Sequence, residues 1–241
     1  SLAVLLAGGL IGATGIGGVL LVPALTQLEG VALTQAVAAS SLAFAFPAVA
    51  ALWWLRIGPV VGARRLWALA GGAMPGALLG GMSVHHVDAF WLLLALATLA
   101  LGSAVKGLLP ARGIAIEGQG FTPTFMAGIG ILVGFGSGLT GTGGPVILIP
   151  LMMLWRQPFA LTIAAAQAIQ LPIALSATAG HASAGTQDIL LACTLGGILL
   201  VGSLLGQRAA RGVNTRALQI FVCVLLLLTG SWFAWKAVHL L

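Results

Sequence analysis

Apolar residues run through this sequence in eight long stretches that are separated by short polar loops. The stretches cover about 1–28, 31–55, 66–84 and 89–108 in the first half and about 121–155, 159–182, 188–207 and 215–238 in the second. Continuous apolar runs of this length predict helices and argue against the alternating strands of a membrane β-barrel. Glycine and proline recur inside them, as they do in membrane helices whose neighbours satisfy the freed backbone groups. The pattern therefore predicts an all-α polytopic membrane protein.

The composition supports this prediction and excludes other classes of protein. Of the 241 residues, 60% are hydrophobic and 6% are charged, whereas about a quarter of a soluble domain's residues are charged. The net charge of +6 does not indicate a nucleic-acid partner, because the ten basic residues are scattered between apolar stretches and form no stripe. Cys193 and Cys223 lie inside apolar stretches without metal-ligand spacing, so we interpret them as small apolar residues.

The chain repeats itself at a constant offset. The shift of 126 residues that places the glycine cluster 12–18 on the cluster 138–144 also places the run 76–80 on the run 202–206. One offset that holds at both ends of a unit predicts an internal duplication. The predicted division is a first repeat at 1–108, a linker at 109–120 and a second repeat at 121–241.

The positions of the arginines indicate that the two repeats are inverted in the membrane. In the first half, three arginines follow the second apolar stretch, whereas in the second half three arginines follow the third stretch. Equivalent loops on opposite sides require an odd number of crossings in each repeat. The uncharged stretches 1–28 and 121–155 would be about 42 and 52 Å long as straight helices, against a hydrocarbon core of about 30 Å. We therefore predict two inverted repeats, each with a re-entrant helical hairpin plus three transmembrane helices.

This topology agrees with the positive-inside rule. It places every Lys and Arg except Lys236 on the cytoplasmic side, whereas parallel repeats would divide the ten residues six against four. Both termini are then predicted on the periplasmic side of a bacterial inner (plasma) membrane.

The two glycine clusters form the candidate substrate site. Unwound backbone at membrane depth is tolerated only where protein or water surrounds it, and glycine lets a ligand approach the main chain. Pro145 suits the first turn of a helix, and two helix N-termini that meet from opposite sides would attract an anion. The predicted substrate-binding residues of the clusters are Thr14, Gly15, Gly17, Gly18, Thr140, Gly141, Thr142, Gly143 and Gly144. Close helix packing is the alternative interpretation, and we favour it for the glycines around 71–80 and 197–206.

Polar residues of the second stretch in each repeat extend the candidate site. Gln35 and Ser40 lie in the first repeat, and Gln167 and Gln170 share one helix face in the second. Because a glutamine that faces lipid is costly, these side chains face the bundle interior, where both substrate contact and interhelical hydrogen bonding remain open. His181 is interpreted as structural, with a proton relay as the alternative.

The same residues exclude other kinds of chemistry. A phosphate-binding loop needs a lysine directly after its glycines, and neither cluster has one. No acidic residue lies deep in a stretch, and the histidines are too separated to provide a catalytic or metal set near one depth, since His85 and His86 lie in a short loop without ligand partners nearby. We therefore predict no catalytic residue, metal or cofactor.

At these glycines the sequence resembles the TauE/SafE family of sulfite exporters, also called toluene sulfonate uptake permeases. The likeness covers the whole chain and rests on the glycine runs 9–18 and 138–144, each followed by a proline. A Gly-x-Leu-Leu-Gly motif at 76–80 that recurs at 202–206 adds to it. Many members have a third glycine after the Gly-Gly pair, where this sequence has Val19 and Pro145, and this difference bears on substrate size.

The resemblance implies export of a sulfur-containing anion, such as sulfite or an organosulfonate like sulfoacetate. Moving one negative charge out of a negative cell interior gains about 2.3 kcal/mol per 100 mV, so such an exporter can run as a uniporter. The expected partners are a small anionic substrate and the lipid bilayer, and we allow for a homodimer. An anion channel of similar architecture, without a coupled conformational cycle, is the alternative.

Overall fold

The structure is a computed structural model that describes residues 2–28, 30–55, 63–84, 89–109, 121–155, 157–185 and 187–239. Within these ranges the chain forms eleven α-helices and no strand. The first half contains α1 (Leu2–Thr14), α2 (Gly18–Leu28), α3 (Leu33–Ala43), α4 (Ala45–Leu55), α5 (Ala63–Met82) and α6 (Ala89–Leu108). The second half contains α7 (Pro123–Thr140), α8 (Pro145–Leu154), α9 (Phe159–Ser183), α10 (Ile189–Ala210) and α11 (Thr215–Val238).

These helices occupy the eight predicted apolar stretches. Apart from Leu109, the predicted linker 109–120 lies outside the described residues, as do Arg56 and Arg156. Five described segments are long and apolar enough to cross a membrane, namely Thr34–Leu52, Pro123–Thr140, Leu161–Ser183, Ile189–Ala210 and Arg216–Val238. The chain is therefore an all-helical polytopic membrane protein, as its sequence predicts.

The second apolar stretch forms α3 and α4, which meet at Phe44 with helical geometry, since Phe44 has φ −68° and ψ −16° and its N–H donates to the carbonyl of Ser40. Pro47 cannot donate a backbone hydrogen bond to the preceding turn, which weakens the helix at this point. Just before it, the hydroxyls of Ser40 and Ser41 bond back to main-chain carbonyls four residues earlier, a pattern that bends helices. The two helices are therefore separated only by a local irregularity, and the segment Thr34–Leu52 remains long and apolar enough to cross a membrane.

The segment 121–155 turns back on itself. Phe121 and Phe125, at the start of α7, each pack edge-to-face against Trp155, which follows α8, with ring centroids 5.4 Å apart in both pairs. At the same end, Lys106 of α6 donates a hydrogen bond to the carbonyl of Leu154, the last residue of α8. Because the two ends of the segment meet, α7 and α8 form a hairpin.

The segment 2–28 also reverses direction. A β-carbon on Gly17 would collide with the carbonyl oxygen of Ala7 and would lie 2.7 Å from the backbone nitrogen of Ile11. In one continuous helix, residues 7 and 17 would be about 15 Å apart. The start of α2 therefore folds back against α1.

Helices of the two halves pack closely through glycine. The glycines of α5 that lie against the α7 main chain are Gly72, Gly76 and Gly80, and those of α10 that lie against α1 are Gly202 and Gly206. Gly76 meets the carbonyl of Ile131. In the second half, Gly202 is the equivalent of Gly76, since it lies 126 positions later. Gly202 meets the carbonyl of Leu5, and Leu5 is the equivalent of Ile131 by the same offset. The same backbone contact therefore occurs twice: once with the glycine in the first half and the carbonyl in the second, and once with the two exchanged.

The last helices of the two halves, α6 and α11, run antiparallel. Near the start of α11, Gln219 donates from Nε2 to the carbonyl oxygen of Gly107, near the end of α6, at 3.3 Å. Further along α11, Gly230 lies against Leu101, which is earlier in α6. Residue numbers therefore increase along α11 where they decrease along α6, which is the arrangement of two antiparallel helices.

The buried apolar side chains form two clusters, and each combines both halves of the chain. One cluster includes Leu69 of α5 and Ile149 of α8. The other includes Ile11 of α1 and Leu199 of α10. The two halves are therefore interlocked, and the hairpins are held between helices of the opposite half.

Candidate functional site

The two glycine clusters touch each other. We call residues 14–18, between α1 and α2, the first tip, and residues 140–144, between α7 and α8, the second tip. A β-carbon on Gly18 would lie 2.5 Å from the carbonyl oxygen of Thr142, and one on Gly15 would lie 3.3 Å from Cβ of Pro145. All residues of the two tips are buried except Thr140, which is half-buried. The structure therefore brings both predicted clusters into one buried site.

The helix that enters each tip ends at a glycine in a left-handed conformation. Gly15 has a φ of 82° after α1, and Gly141 has a φ of 64° after α7. Their N–H groups donate to the carbonyls of Ile11 at 2.8 Å and Ser137 at 2.9 Å, respectively. Side chains are strained at such angles, so glycine is what allows the chain to stop and reverse at both positions.

The helix that leaves each tip begins with main-chain N–H groups that lack a partner. Among the described residues, the N–H groups of Gly17, Gly18, Gly143 and Gly144 donate no hydrogen bond, and all four residues are buried. Buried N–H groups without a partner are rare in proteins, so a ligand or water is expected to accept from them. They stand at the N-terminal ends of α2 and α8, where the helix dipole favours negative charge.

The threonine hydroxyls of the tips bond within the protein. Thr14 donates from Oγ1 to the carbonyl of Leu10 at 2.8 Å. Thr140 donates to the carbonyl of Gly136 at 2.8 Å and lies 2.7 Å, between hydroxyl oxygens, from Thr142. Since the Thr140 hydrogen is used at Gly136, Thr142 is the donor of that pair. The hydroxyl hydrogens of Thr14 and Thr140 are thus used by carbonyls in the last turns of α1 and α7. Main-chain N–H groups remain as the donors for a ligand.

Gln167 of α9 reaches the first tip. Its Nε2 donates to the carbonyl of Ile11 at 2.9 Å and lies 3.8 Å from the place where a β-carbon on Gly15 would be. Gln170 lies on the same helix face, and each glutamine is only 1% exposed. The Oε1 atoms of both glutamines are buried without a partner among the described residues. Both predicted glutamines therefore face the interior, and Gln167 contacts the candidate site.

The apolar wall of the site was missed in the sequence analysis. Phe44 is fully buried, and its ring atoms would lie 2.9 Å from a β-carbon on Gly143 and 3.0 Å from one on Gly18. On the other side, Cδ1 of Ile173 would lie 2.7 Å from a β-carbon on Gly144. Phe44 follows Ser40 by four residues, and this helical spacing from a candidate residue was the available signal.

Of the remaining candidates, Ser40 and His181 are buried and Gln35 is exposed. Ser40 is buried, and its hydroxyl donates to the carbonyl of Ala36 at 2.6 Å. The structure does not bring Gln35 into the buried cluster, because this residue is exposed. His181 is buried near the end of α9, and its backbone nitrogen would lie 3.2 Å from a β-carbon on Gly81 of α5.

Comparison with models of protein families matches residues 1–233 to the family described as sulfite exporter TauE/SafE. No curated protein and no solved structure gives a significant match. The matched range includes both tips, the glycine interfaces between the halves and Gln167. It confirms the resemblance that the duplicated glycine motifs indicate. The chain belongs to the TauE/SafE family, whose members are membrane transporters and not enzymes.

Proposed function

We propose that this protein exports a small anion, namely sulfite or an organosulfonate such as sulfoacetate, and binds it between the two tips. The observation that carries the proposal is the set of buried N–H groups without partners at Gly17, Gly18, Gly143 and Gly144. An oxyanion offers the acceptor oxygens that these donors lack. Membership of the sulfite exporter family supports a sulfur-containing anion as the substrate.

The charge of the site fits a single anionic group. Each helix N-terminus carries a partial charge of about +0.5, so α2 and α8 together supply roughly one positive charge. Hydrogen bonds to a charged group contribute roughly 1.5–3 kcal/mol each. Anion binding at this site therefore does not need a lysine or arginine side chain.

The proposed transport cycle uses two inverted repeats, with a division at residues 108 and 121. Three observations support this arrangement: α6 and α11 run antiparallel, the backbone contact of Gly76 recurs at Gly202, and both glycine-containing segments form hairpins. Inverted repeats with a shared central site are the basis of alternating access in many transporters. Because the tips are buried in this conformation, the halves must move relative to each other to admit or release an anion.

The orientation that we propose has both termini on the periplasmic side of a bacterial inner membrane. Lys106, Trp155 and Gln219 lie at one end of the helix bundle, as their contacts indicate. The positive-inside rule makes this end, which also carries Arg216, the cytoplasmic one. In this orientation the hairpin of α7 and α8 enters from the cytoplasm.

Flux of labelled sulfite and sulfoacetate in proteoliposomes, with and without an imposed membrane potential, tests the proposed function. We expect saturable flux that accelerates when the potential drives negative charge outward. The alternative, an anion channel of similar architecture, predicts conduction that does not saturate with anion concentration. Absence of flux for both anions would contradict the proposal.

A further inference from the structure

The amide of Gln167 has a defined orientation. Its Nε2 lies 2.9 Å from the carbonyl oxygen of Ile11, which can only accept a hydrogen bond. If the amide were reversed, Oε1 would face this carbonyl, and two acceptors would oppose each other. The atom that Gln167 has left for another partner is therefore Oε1, an acceptor.

This acceptor is buried at the candidate site. Gln167 is 1% exposed, and its Oε1 has no partner among the described residues. Its Nε2 lies 3.8 Å from the place where a β-carbon on Gly15 would be, so the amide group stands at the first tip. A buried acceptor without a donor is unfavourable, which indicates that something with a hydrogen to donate binds there.

Donors and an acceptor therefore occur together at this site. The N–H groups at the starts of α2 and α8 require oxygens with lone pairs, whereas Gln167 Oε1 requires a donor hydrogen. A fully deprotonated dianion offers only acceptors. Hydrogen sulfite, or a sulfonate that also carries a hydroxyl group, offers negatively charged oxygens and one hydrogen-bond donor.

We infer that Gln167 determines the specificity of the site for a monoanion that carries a hydrogen-bond donor. This inference rests on the proposed function and narrows its substrate class: hydrogen sulfite meets both requirements, whereas sulfoacetate, whose carboxyl group is ionised near neutral pH, offers only acceptors. Gln170 follows three positions later on the same helix face, and its buried Oε1 also lacks a partner among the described residues.

Two sulfonates test the inference on the full-length wild-type protein. 2-Hydroxyethanesulfonate and propane-1-sulfonate have the same charge and a similar size, but one ends in a hydroxyl and the other in a methyl group. We expect the hydroxyl compound to bind the purified protein about ten-fold more tightly or better, because a site built for a hydroxyl rejects analogues that lack it. Equal affinities would overturn the inference and would indicate that water occupies Oε1.

Variants connect this preference to Gln167. Gln167→Met keeps the length of the side chain but removes Oε1 together with the Nε2 donor to Ile11, so both affinities are expected to fall, and the preference for 2-hydroxyethanesulfonate over propane-1-sulfonate is expected to fall about ten-fold. Gln207→Met is the matched control, because Gln207 also has a buried Oε1 without a described partner, but its Nε2 bonds to Ser203 on α10. Loss of the preference in both variants would contradict a specific role for Gln167.

Sulfite itself provides an independent measurement on the wild-type protein. Hydrogen sulfite carries the donor and its conjugate base does not, so affinity for total sulfite is expected to rise as the pH falls through the pKa of hydrogen sulfite. An affinity for total sulfite that does not change with pH, or that falls as the pH falls, would overturn the inference. This measurement decides the matter even if neither sulfonate binds. Absence of saturable binding for sulfite and for both sulfonates would reject the proposed function instead.

Discussion

Gly18 of the first tip and Thr142 of the second tip touch through their main chains, since a β-carbon on Gly18 would lie 2.5 Å from the carbonyl oxygen of Thr142. The two residues belong to different halves of the chain. Only hydrogen atoms separate the two backbones here, so the tips meet without an intervening side chain. Any motion that opens the proposed site must change this contact.

Replacement of Gly18 by alanine tests the contact directly. Gly18 does not have a positive φ and begins α2, so alanine suits its backbone, but the new methyl group would collide with Thr142 and the ring of Phe44. Overpacking of this kind costs about 1–3 kcal/mol, and we expect sulfite flux in proteoliposomes to fall about ten-fold or more. Gly197→Ala is the control, because nothing lies within 4 Å of its β-carbon position. Equal flux in both variants would mean that the tips do not need this contact.

Comparison of Gly141→Ala with Gly185→Ala separates the effect of backbone strain on stability from the effect of steric crowding. Its positive φ of 64° costs an alanine about 1–2 kcal/mol, and the methyl group would also lie 2.8 Å from the carbonyl oxygen of Val37. Gly185 has a φ of 71° and nothing within 4 Å of its β-carbon position, so Gly185→Ala carries the strain alone. We expect the midpoint of thermal unfolding in detergent to fall in both variants and to fall further in Gly141→Ala. A larger loss in Gly185→Ala would contradict close packing at the second tip.

Thr140→Val tests the role of the threonine hydroxyls. The substitution removes the bond to Gly136 and leaves the Thr142 hydroxyl without its acceptor, which costs about 1–3 kcal/mol. We expect the affinity for sulfite to fall through a shift of the second tip, measured by isothermal titration on the detergent-solubilised protein. Thr178→Val is the control, because Thr178 makes only the same type of bond, to Ala174 at 2.7 Å on α9. Weakening of equal size in both variants would argue against a specific role for Thr140.

The proposed inverted topology predicts the side of the membrane on which three positions lie. In a protein without native cysteines, single cysteines at Arg64 and Arg211 should both be shielded from an impermeant thiol reagent that is added outside. A cysteine at Gly185, between α9 and α10, should react with the same reagent, because it is predicted on the periplasmic side. Labelling of the Arg64 and Arg211 variants from opposite sides would contradict inversion.

Sequence patterns were sufficient for the features that depend on local chain properties. Hydropathy determines which stretches enter a membrane, and the helices lie in the eight predicted stretches. Clustered glycines indicated where the first and fifth stretches break, because few other residues adopt the φ values of Gly15 and Gly141. The ordered recurrence of these glycines was also enough to identify the family, which the comparison confirms.

Features that depend on contacts between distant residues required the tertiary structure. Gln167 and Ile11 are 156 positions apart, and no local pattern indicates that they bond. The contact of Phe44 with both tips depends on which helix faces the hairpins, which helical periodicity does not specify. The sequence placed Thr14 and Thr140 among the substrate-binding residues, and only the structure shows that neighbouring carbonyls use their hydroxyl hydrogens.

By itself, the sequence determined that this is a helical membrane transporter of the TauE/SafE family with two glycine clusters. Hydropathy and glycine content suffice for this because they act on each segment separately. Only the tertiary structure decided that the two clusters meet, that Gln35 stays outside them and that Gln167 joins them. The physical reason is that each of these outcomes depends on how helices of one half pack against helices of the other.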